Sequence, residues 1–428
     1  MIDITLVREN PDFYKKALAD KKANPSLVDD LLSVDEKRRA LIGEIQTLRE
    51  LKNKFSKEQN IEEGKKIKGE LSSKEPELAK LEASYKEILW SLPNPAAEDV
   101  PVGPDESANV VLRTWGTPKT FDFPVKDHIA IGEDLDIIDV KKASDVSGAR
   151  FAYLKGDGAL LEFALVSFAF SVLTNSETLQ KIAQEHNLTV SSKAFVPVVP
   201  PVMIKPDVFE RMARLKPIEE RYHFPTDDMY LVGSAEHTLG ALHMDESLAE
   251  KEFPIRYVGF STSFRREAGS YGRDTKGILR VHQFDKVEIE SFTTKETGSD
   301  EQQFIVCLQE YLMQQLELPH EVMSVCTGDM GGPDYRQIDI NTWIPSQDKY
   351  RETHSSDYNT DYQARRLNTR VRRTSNDTEF VHMNDATVFA VGRTIIAILE
   401  NNQQADGTVL IPTVLQKWMG KDKIVKRS

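Results

Sequence analysis

The sequence predicts an α+β protein: an N-terminal antiparallel α-helical coiled-coil arm, then a domain built on an antiparallel β-sheet flanked by helices. Three observations carry this. Two segments of the first hundred residues share a heptad seam. A proline-dense stretch, Leu92-Pro-Asn-Pro-Ala-Ala-Glu-Asp-Val-Pro-Val-Gly-Pro, closes them off with four prolines in thirteen residues. Beyond it, short strand-like runs and helices follow one another in no regular alternation, which fits an antiparallel sheet better than a parallel one. The expected division is 1–100 and 101–428.

The arm comes first. Val34, Arg38, Leu41, Ile45, Leu48, Lys52 and Phe55 alternate spacings of four and three, and so do Ile67, Leu71, Lys74, Leu78, Leu81, Tyr85, Ile88 and Leu92. The polar stretch KEQNIEEGKK separates them, so a helical hairpin is expected, each helix about 35–40 Å long at 1.5 Å per residue. Lys52 and Lys74 interrupt the seam, and Pro76 is expected to kink the second helix or delay its start, which leaves the distal half loose. Between Ser33 and Trp90 there are thirteen Lys/Arg and twelve Asp/Glu, whereas the whole chain carries −13. A near-neutral arm on an acidic body suits a polyanionic partner such as RNA. From the arm alone, a dimerisation or spacer coiled coil is the simpler reading.

Composition narrows the class. Apolar residues are 39% and charged residues 29%, as in globular proteins rather than disordered or fibrous ones. Two cysteines, Cys307 and Cys326, cannot form a disulfide framework or a four-cysteine zinc site, so a reduced compartment is expected. The opening MIDITLVRENPDF carries acids and no apolar stretch, unlike a signal peptide. The most apolar run, Leu160 to Leu173, contains Glu162 and is shorter than the roughly 20 residues of a membrane span, so no membrane is expected.

In the second unit, Leu160 to His186 reads as one long helix, and 197–204, PVVPPVMI, as an edge strand. Phe253 to Phe264, Leu279 to Phe292, Glu321 to Thr327 and Ile338 to Ile344 read as strands, and Val388 to Glu400 as a helix. Neither GxxxxGK[ST] nor GxGxxG occurs. The chemistry concentrates at 264–288, FRREAGSYGRDTKGILRVHQFDKVE, where two strands flank a loop with Gly269, Gly272, Arg273, Asp274, Lys276 and Gly277. Arg280, His282, Phe284 and Glu288 fall at even spacing and are expected on one face. Arginine, an aromatic ring and a carboxylate on adjacent strands can hold a nucleotide, the guanidinium on phosphate and the ring on the base. An alternating strand with a solvated charged face is the bland alternative for such a pattern.

That string resembles motif 2 of the class II aminoacyl-tRNA synthetases, in the form found in the seryl-tRNA synthetase family, bacterial type. SGARFAYLKGDGALLEFAL with PVVPPVM resembles the dimer-forming first motif, LVGSAEHTLGALH the serine-binding segment, TGDMG and WIPSQDKYRET the metal and ATP region, and AVGRTIIAILENNQQADGTVLIPTVLQKWM motif 3. The arm and linker match as well, so the resemblance spans the chain. It implies a class II catalytic domain that activates L-serine with ATP to seryl-adenylate and transfers the seryl group to the 3′-terminal ribose of tRNA(Ser), with tRNA(Sec) open as a second acceptor. It implies a cytoplasmic homodimer using Mg²⁺. No zinc is expected, because neither cysteine lies in a matching segment.

The residue roles follow from the resemblance. Serine is implied to meet Ser234, Glu236, Arg265, Glu288 and Thr387. ATP is implied to meet Arg265, Arg266, Glu267, Val281, Phe284, Glu352, Thr353, His354, Ser355 and Arg393, with Phe284 and Arg393 on opposite faces of adenine. Glu352 and Ser355 are implied to hold Mg²⁺ as hard oxygen ligands. The tRNA is implied to meet the arm at residues such as Arg38, Arg49, Lys52 and Lys54. The sequence departs from the family at Ser234 for Thr, Asn341 for Glu, Asp385 for Asn, and at His354 and Asp357, which enter the expected phosphate–metal neighbourhood. Two other readings stay open: a carrier-protein aminoacylating relative, expected to lack the long arm, and a catalytically dead RNA-binding paralogue, expected to have lost Arg265, Glu288 or Arg393.

Overall fold

A computed structural model of the chain describes residues 1–268 and 276–426. Two short helices, Ile4–Glu9 and Pro11–Asp20, lead into helix α1 (Ser26–Lys57), which a three-residue turn joins to helix α2 (Ile61–Ser91). The hairpin is longer than the seam alone suggests, because α1 begins eight residues before Val34. Its 32 residues span about 48 Å. Two separate apolar clusters hold it. At the base, Val7, Leu18, Val28 and Leu31 pack with Leu89, Leu92 and Tyr362 of the body. Further out, Leu41, Ile45, Leu48, Ile67 and Leu71 form the heptad core, with Phe55 and Leu78 at its margin.

Lys52 is exposed, and Lys74 leaves the seam to pair with Glu44 at 2.6 Å. Pro76 neither delays nor ends α2, which starts at Ile61 and runs through it. One lost backbone donor is outweighed by seam contacts on both sides, at Leu71 and Leu78. The tip is closed by Asn60, whose Oδ1 accepts from the Glu63 amide at 3.3 Å. Asn60→Ala is expected to cost about 1 kcal/mol of local helix stability, read as faster amide exchange at Glu62–Gly64. Unchanged exchange there would show the cap to be idle.

The proline-rich stretch is packed rather than free. Asn94 is buried and donates to the carbonyls of Pro333 (2.9 Å) and Asn359 (3.0 Å), and Ala97 and Val100 pack against Val325 and Met330.

The second unit centres on an eight-stranded sheet. Its strands are β1 (Val110–Trp115), β2 (Val196–Val198), β3 (Ile255–Phe264), β4 (Gln283–Thr293), β5 (His320–Ser324), β6 (Arg336–Ile344), β7 (Lys349–Thr360) and β8 (His382–Ala390), in the spatial order β1-β5-β6-β7-β8-β4-β3-β2. Every pair is antiparallel except β2–β3 at the edge. Helices α3 (Asp157–Leu173), α4 (Ser176–Glu185), α5 (Gly298–Gln315) and α6 (Val391–Asn401) complete the main hydrophobic core. Val287 and Ile289 of β4 enter that core, so Glu288 and Glu290 point to the opposite face.

Three expectations change. The single helix over Leu160 to His186 is two, because Asn175 caps a new helix by accepting from the Thr178 amide at 2.9 Å. The stretch 197–204 is two strands in different sheets, β2 and the pair Met203–Ile204, split by Pro200-Pro201. Val388 lies within β8, which ends at Ala390, rather than opening α6, which starts at Val391. Among the described residues, no single helix is long and apolar enough to cross a membrane.

Candidate active site

The sheet face opposite α5 and α6 carries a polar cleft of about 490 Å³. Strands β4, β6, β7 and β8 supply its floor, and the segment from Arg214 to His237 its wall. Glu236, Arg265, Glu267, Glu288, Glu352, Ser355 and Thr387 all line it, together with Arg214, Arg221, Arg280, Lys286, Asp357 and Asp385.

One end is a small acid-lined pocket. Glu288 lies opposite Thr387 in the β4–β8 register and is 1% exposed. Lys286 reaches Glu288 Oε2 at 2.7 Å and donates to Ser234 Oγ at 3.2 Å, so the buried Ser234 bounds the pocket through that lysine. Burial pushes the Glu288 carboxyl above its ordinary range, and the Lys286 charge offsets part of this. Glu236, at the start of a short helix (Glu236–Leu239), forms an ion pair with Arg214. Burial would raise its pKa as well, but Arg214, then His237, Lys286 and Arg265, hold it at about 2. Glu236, Glu288 and Asp385 offer oxygens within 4.8 Å of one another. Arg214 and Lys286 already pair with this set, so the cluster is compensated by protein cations.

The other end is a recess lined by Arg265, Glu267, Val281, Phe284, Glu352, Thr353 and Arg393. The Arg265 guanidinium sits 5.4 Å from the Phe284 ring centroid, and its Nε donates to the Gly233 carbonyl at 3.2 Å. Arg393 donates to the Glu352 carbonyl (2.9 Å) and faces its carboxylate at 3.2 Å. Glu267, at φ 51°, turns its carboxylate to Arg280 at 3.3 Å. Arg265 lines both ends.

Simple alternation would put Glu352 and Ser355 on opposite faces of β7. A register shift between Ile340 and Asn341 of β6 absorbs the extra residue, so both face the cleft. Ser355 Oγ donates to Asp357 Oδ1 at 3.0 Å. Behind them, Gln309 of α5 donates to the carbonyls of Ser355 (2.9 Å) and Thr387 (2.7 Å), and Gln302 to those of Arg336 and Ser356 (both 2.9 Å). Two buried glutamines thus tie the irregular strands to the helix. An exposed carboxylate and an adjacent hydroxyl on one face are a donor set that fits a hard cation such as Mg²⁺.

Some expected residues lie elsewhere. His354 is fully buried on the far side of β7, with Nδ1 2.8 Å from Thr353 Oγ1 and its ring 5.8 Å from that of Phe389. Burial lowers its pKa to about 3, so it is a neutral core residue. Arg266 turns away from Arg265, its guanidinium 5.4 Å from the Tyr222 ring. His282 precedes β4 and packs beside Phe151 and Tyr222 rather than on the Phe284 face. Thr353 touches the recess, but its hydroxyl donates to the Ile340 carbonyl at 3.1 Å. Gly269, Gly272, Arg273 and Asp274 lie outside the described residues. Asn341 bonds Glu321 at 3.2 Å, outside the cleft. Cys307 and Cys326 are buried and line neither end. On the arm, Arg38 stacks on Tyr85 at 4.8 Å near the base, Arg49 pairs with Glu75 at 3.0 Å, and Lys52 and Lys54 are exposed.

Residues 221–402 match the model of the tRNA synthetase class II core domain (G, H, P, S and T), and residues 1–96 that of the seryl-tRNA synthetase N-terminal domain. The chain is 40% identical to the serine–tRNA ligase of Acidothermus cellulolyticus, over 99% of each chain. It is also 40% identical to that of Coprothermobacter proteolyticus, over 98% of this chain and 100% of the relative. Its fold superposes on the crystal structure of seryl-tRNA synthetase from Pyrococcus horikoshii complexed with ATP, with a TM-score of 0.90 and 36% identity over the whole of both chains.

Proposed function

This chain belongs to the seryl-tRNA synthetase family, and on that premise we propose that it is a serine–tRNA ligase whose acid-lined pocket takes L-serine and whose ring-and-arginine recess takes ATP. The observation that carries the reading is the junction of the two ends at Arg265. A serine whose carboxylate lies at that guanidinium is held beside the ATP α-phosphate.

Glu236 receives the ammonium and Glu288, with Thr387, the hydroxyl. Phe284 and Arg393 enclose adenine, and Glu267 bounds its outer edge. The serine carboxylate attacks the α-phosphorus in line; the new O–P bond forms as the bond to pyrophosphate breaks. Arg265 stands where negative charge gathers, and no protein nucleophile is required. Glu352 and Ser355 would hold Mg²⁺, which neutralises phosphate charge when bound. A terminal ribose hydroxyl of tRNA(Ser) then attacks the adenylate carbonyl and AMP leaves, and tRNA(Sec) is a second acceptor to try in the same assay. Alanine is rejected because it leaves the buried Glu288 carboxyl without a hydroxyl partner.

Residues 1–100 form the tRNA-binding unit and 101–428 the catalytic one. A homodimer through the first-motif face is supported by Phe163 (61% exposed) and Val199 (84% exposed), large apolar residues on α3 and beside β2. We read it as a cytoplasmic enzyme, supplying charged tRNA to translation.

ATP–pyrophosphate exchange tests the reading. Serine is expected to support exchange in the presence of Mg²⁺, with alanine, threonine and glycine far weaker. A folded sample without serine-dependent exchange would sink it.

A further inference from the structure

Arg214 has no part in the roles above, yet it is the most heavily engaged cation of the cleft. Its Nε faces the Glu236 carboxylate, and its Nη2 is shared by Asp334 (3.3 Å), Asp385 (3.4 Å) and Asp357 (3.7 Å). Asp334 closes the turn 331–334, its amide donating to the Gly331 carbonyl at 3.3 Å. A Cβ at Gly331 would collide with the Asp334 carboxylate. The N-terminal unit grips this turn from outside. Lys21 Nζ donates to the carbonyls of Gly331 (3.1 Å) and Asp334 (2.5 Å), and the Asn94 amide donates to the Gly332 carbonyl at 2.8 Å. Polar contacts therefore run without a gap from Lys21 through the turn and Arg214 to Glu236.

We propose that Arg214 is a positioning residue of the amino-group subsite, holding the Glu236 carboxylate in place for the substrate ammonium, and that Lys21 completes the subsite by fixing the turn that anchors Arg214. The inference rests on Glu236 as the partner of the serine ammonium. One guanidinium is shared among four carboxyl groups, so it keeps its anchor on the aspartates when the substrate ammonium reaches Glu236. The rigid fork of arginine suits the task, because one nitrogen stays on Glu236 while another keeps its anchor on the aspartates. Burial alone would neutralise Glu236, and Arg214 leads the cations that oppose this; the charge so kept on Glu236 in turn helps burial raise the pKa of Glu288, Glu290 and Asp385 around it. Lys21 feels these charges too: burial first lowers its pKa to about 8, Asp334 opposes this and Arg214 adds to it.

The test is ATP–pyrophosphate exchange by the full chain, with serine and ATP varied separately, for the wild type and for Arg214→Gln, Arg214→Lys, Lys21→Met and Glu236→Gln. Arg214→Gln is expected to raise the serine KM on the order of tenfold to a hundredfold, the value of a charged hydrogen bond, and to leave the ATP KM within about twofold. Arg214→Lys is expected to recover part of the loss. Lys21→Met is expected to shift the serine KM in the same direction by less. Without Arg214, Glu236 should take up a proton more readily as pH falls, so the serine KM of Arg214→Gln should climb with falling pH more steeply than that of the wild type. Glu236→Gln has no carboxylate to titrate and should not show that climb. If Glu236→Gln loses serine while Arg214→Gln and Lys21→Met keep the wild-type serine KM, the inference is overturned. Equal loss of serine and ATP, with no pH dependence, also overturns it and assigns Arg214 to the fold. Should Arg214→Gln not fold, Lys21→Met alone decides, an unchanged serine KM overturning the proposal. A wild type without serine-dependent exchange overturns the functional reading itself.

Discussion

Glu288→Gln is expected to lower kcat/KM for serine on the order of tenfold to a hundredfold while the ATP KM stays within about twofold. The carboxylate is 1% exposed and paired with Lys286 at 2.7 Å, and it faces Thr387 across the β4–β8 pair. Glutamine keeps the volume and one acceptor but gives up the charge that holds Lys286. Alanine would be a harsher and less clean test. It leaves Lys286, itself 7% exposed, as a buried cation without its partner, which costs roughly 3–5 kcal/mol of stability. Lys286→Met separates the two effects, since it leaves Glu288 in place and removes the lysine. Equal losses of serine and ATP affinity in Glu288→Gln would make Glu288 a structural residue.

Removing the distal hairpin is expected to abolish most tRNA charging and spare adenylate formation. The cut must respect the two clusters. Excising Val34–Trp90, the span the heptads suggest, would take Leu89 from the base, where it packs with Leu92 and Tyr362. Excising residues 40–80 and joining the stumps by a short turn removes the core around Ile45 and Ile67 but keeps the base, including the Arg8–Asp35 pair at 2.8 Å. Charging is expected to fall by more than about tenfold, and the salt dependence of tRNA binding to flatten as phosphate contacts are lost. Serine-dependent exchange should stay within about twofold. Unchanged charging, with the wild-type KM for tRNA, would reduce the hairpin to a spacer.

The hairpin and β4 were legible in the sequence because each obeys one period. Leu41, Ile45 and Leu48 mark a seam, and Val287 and Ile289 alternate with Glu288 and Glu290. Strand β7 was not legible as a strand. KYRETHSSDYNT has no apolar alternation because one face lines a polar cleft and the other is buried against glutamines. Its register shift also hides which side chains share a face. The resemblance groups His354 with Glu352 and Ser355, although it lies buried behind them. Arg265 and Arg266 are a simpler case: consecutive residues at a strand end face apart, so only one could reach the cleft. Arg214 carried no signal at all, since its partners are more than twenty residues away in sequence and meet only in the fold.

The tethered base of the hairpin has a mechanical consequence. With Tyr362 Oη donating to the Leu92 carbonyl at 2.7 Å, Arg366 bonded to the Trp90 carbonyl, and Asp35 clasped by Arg8, the two long helices are mounted on the catalytic body like a boom on a stiff pivot. Over about 48 Å of lever, each degree of rotation at the pivot swings the tip by about 0.8 Å. A side chain that loosens the mount by a few degrees displaces the far end by several ångströms, more than a hydrogen bond tolerates. Aim, then, is set at the pivot rather than at the tip.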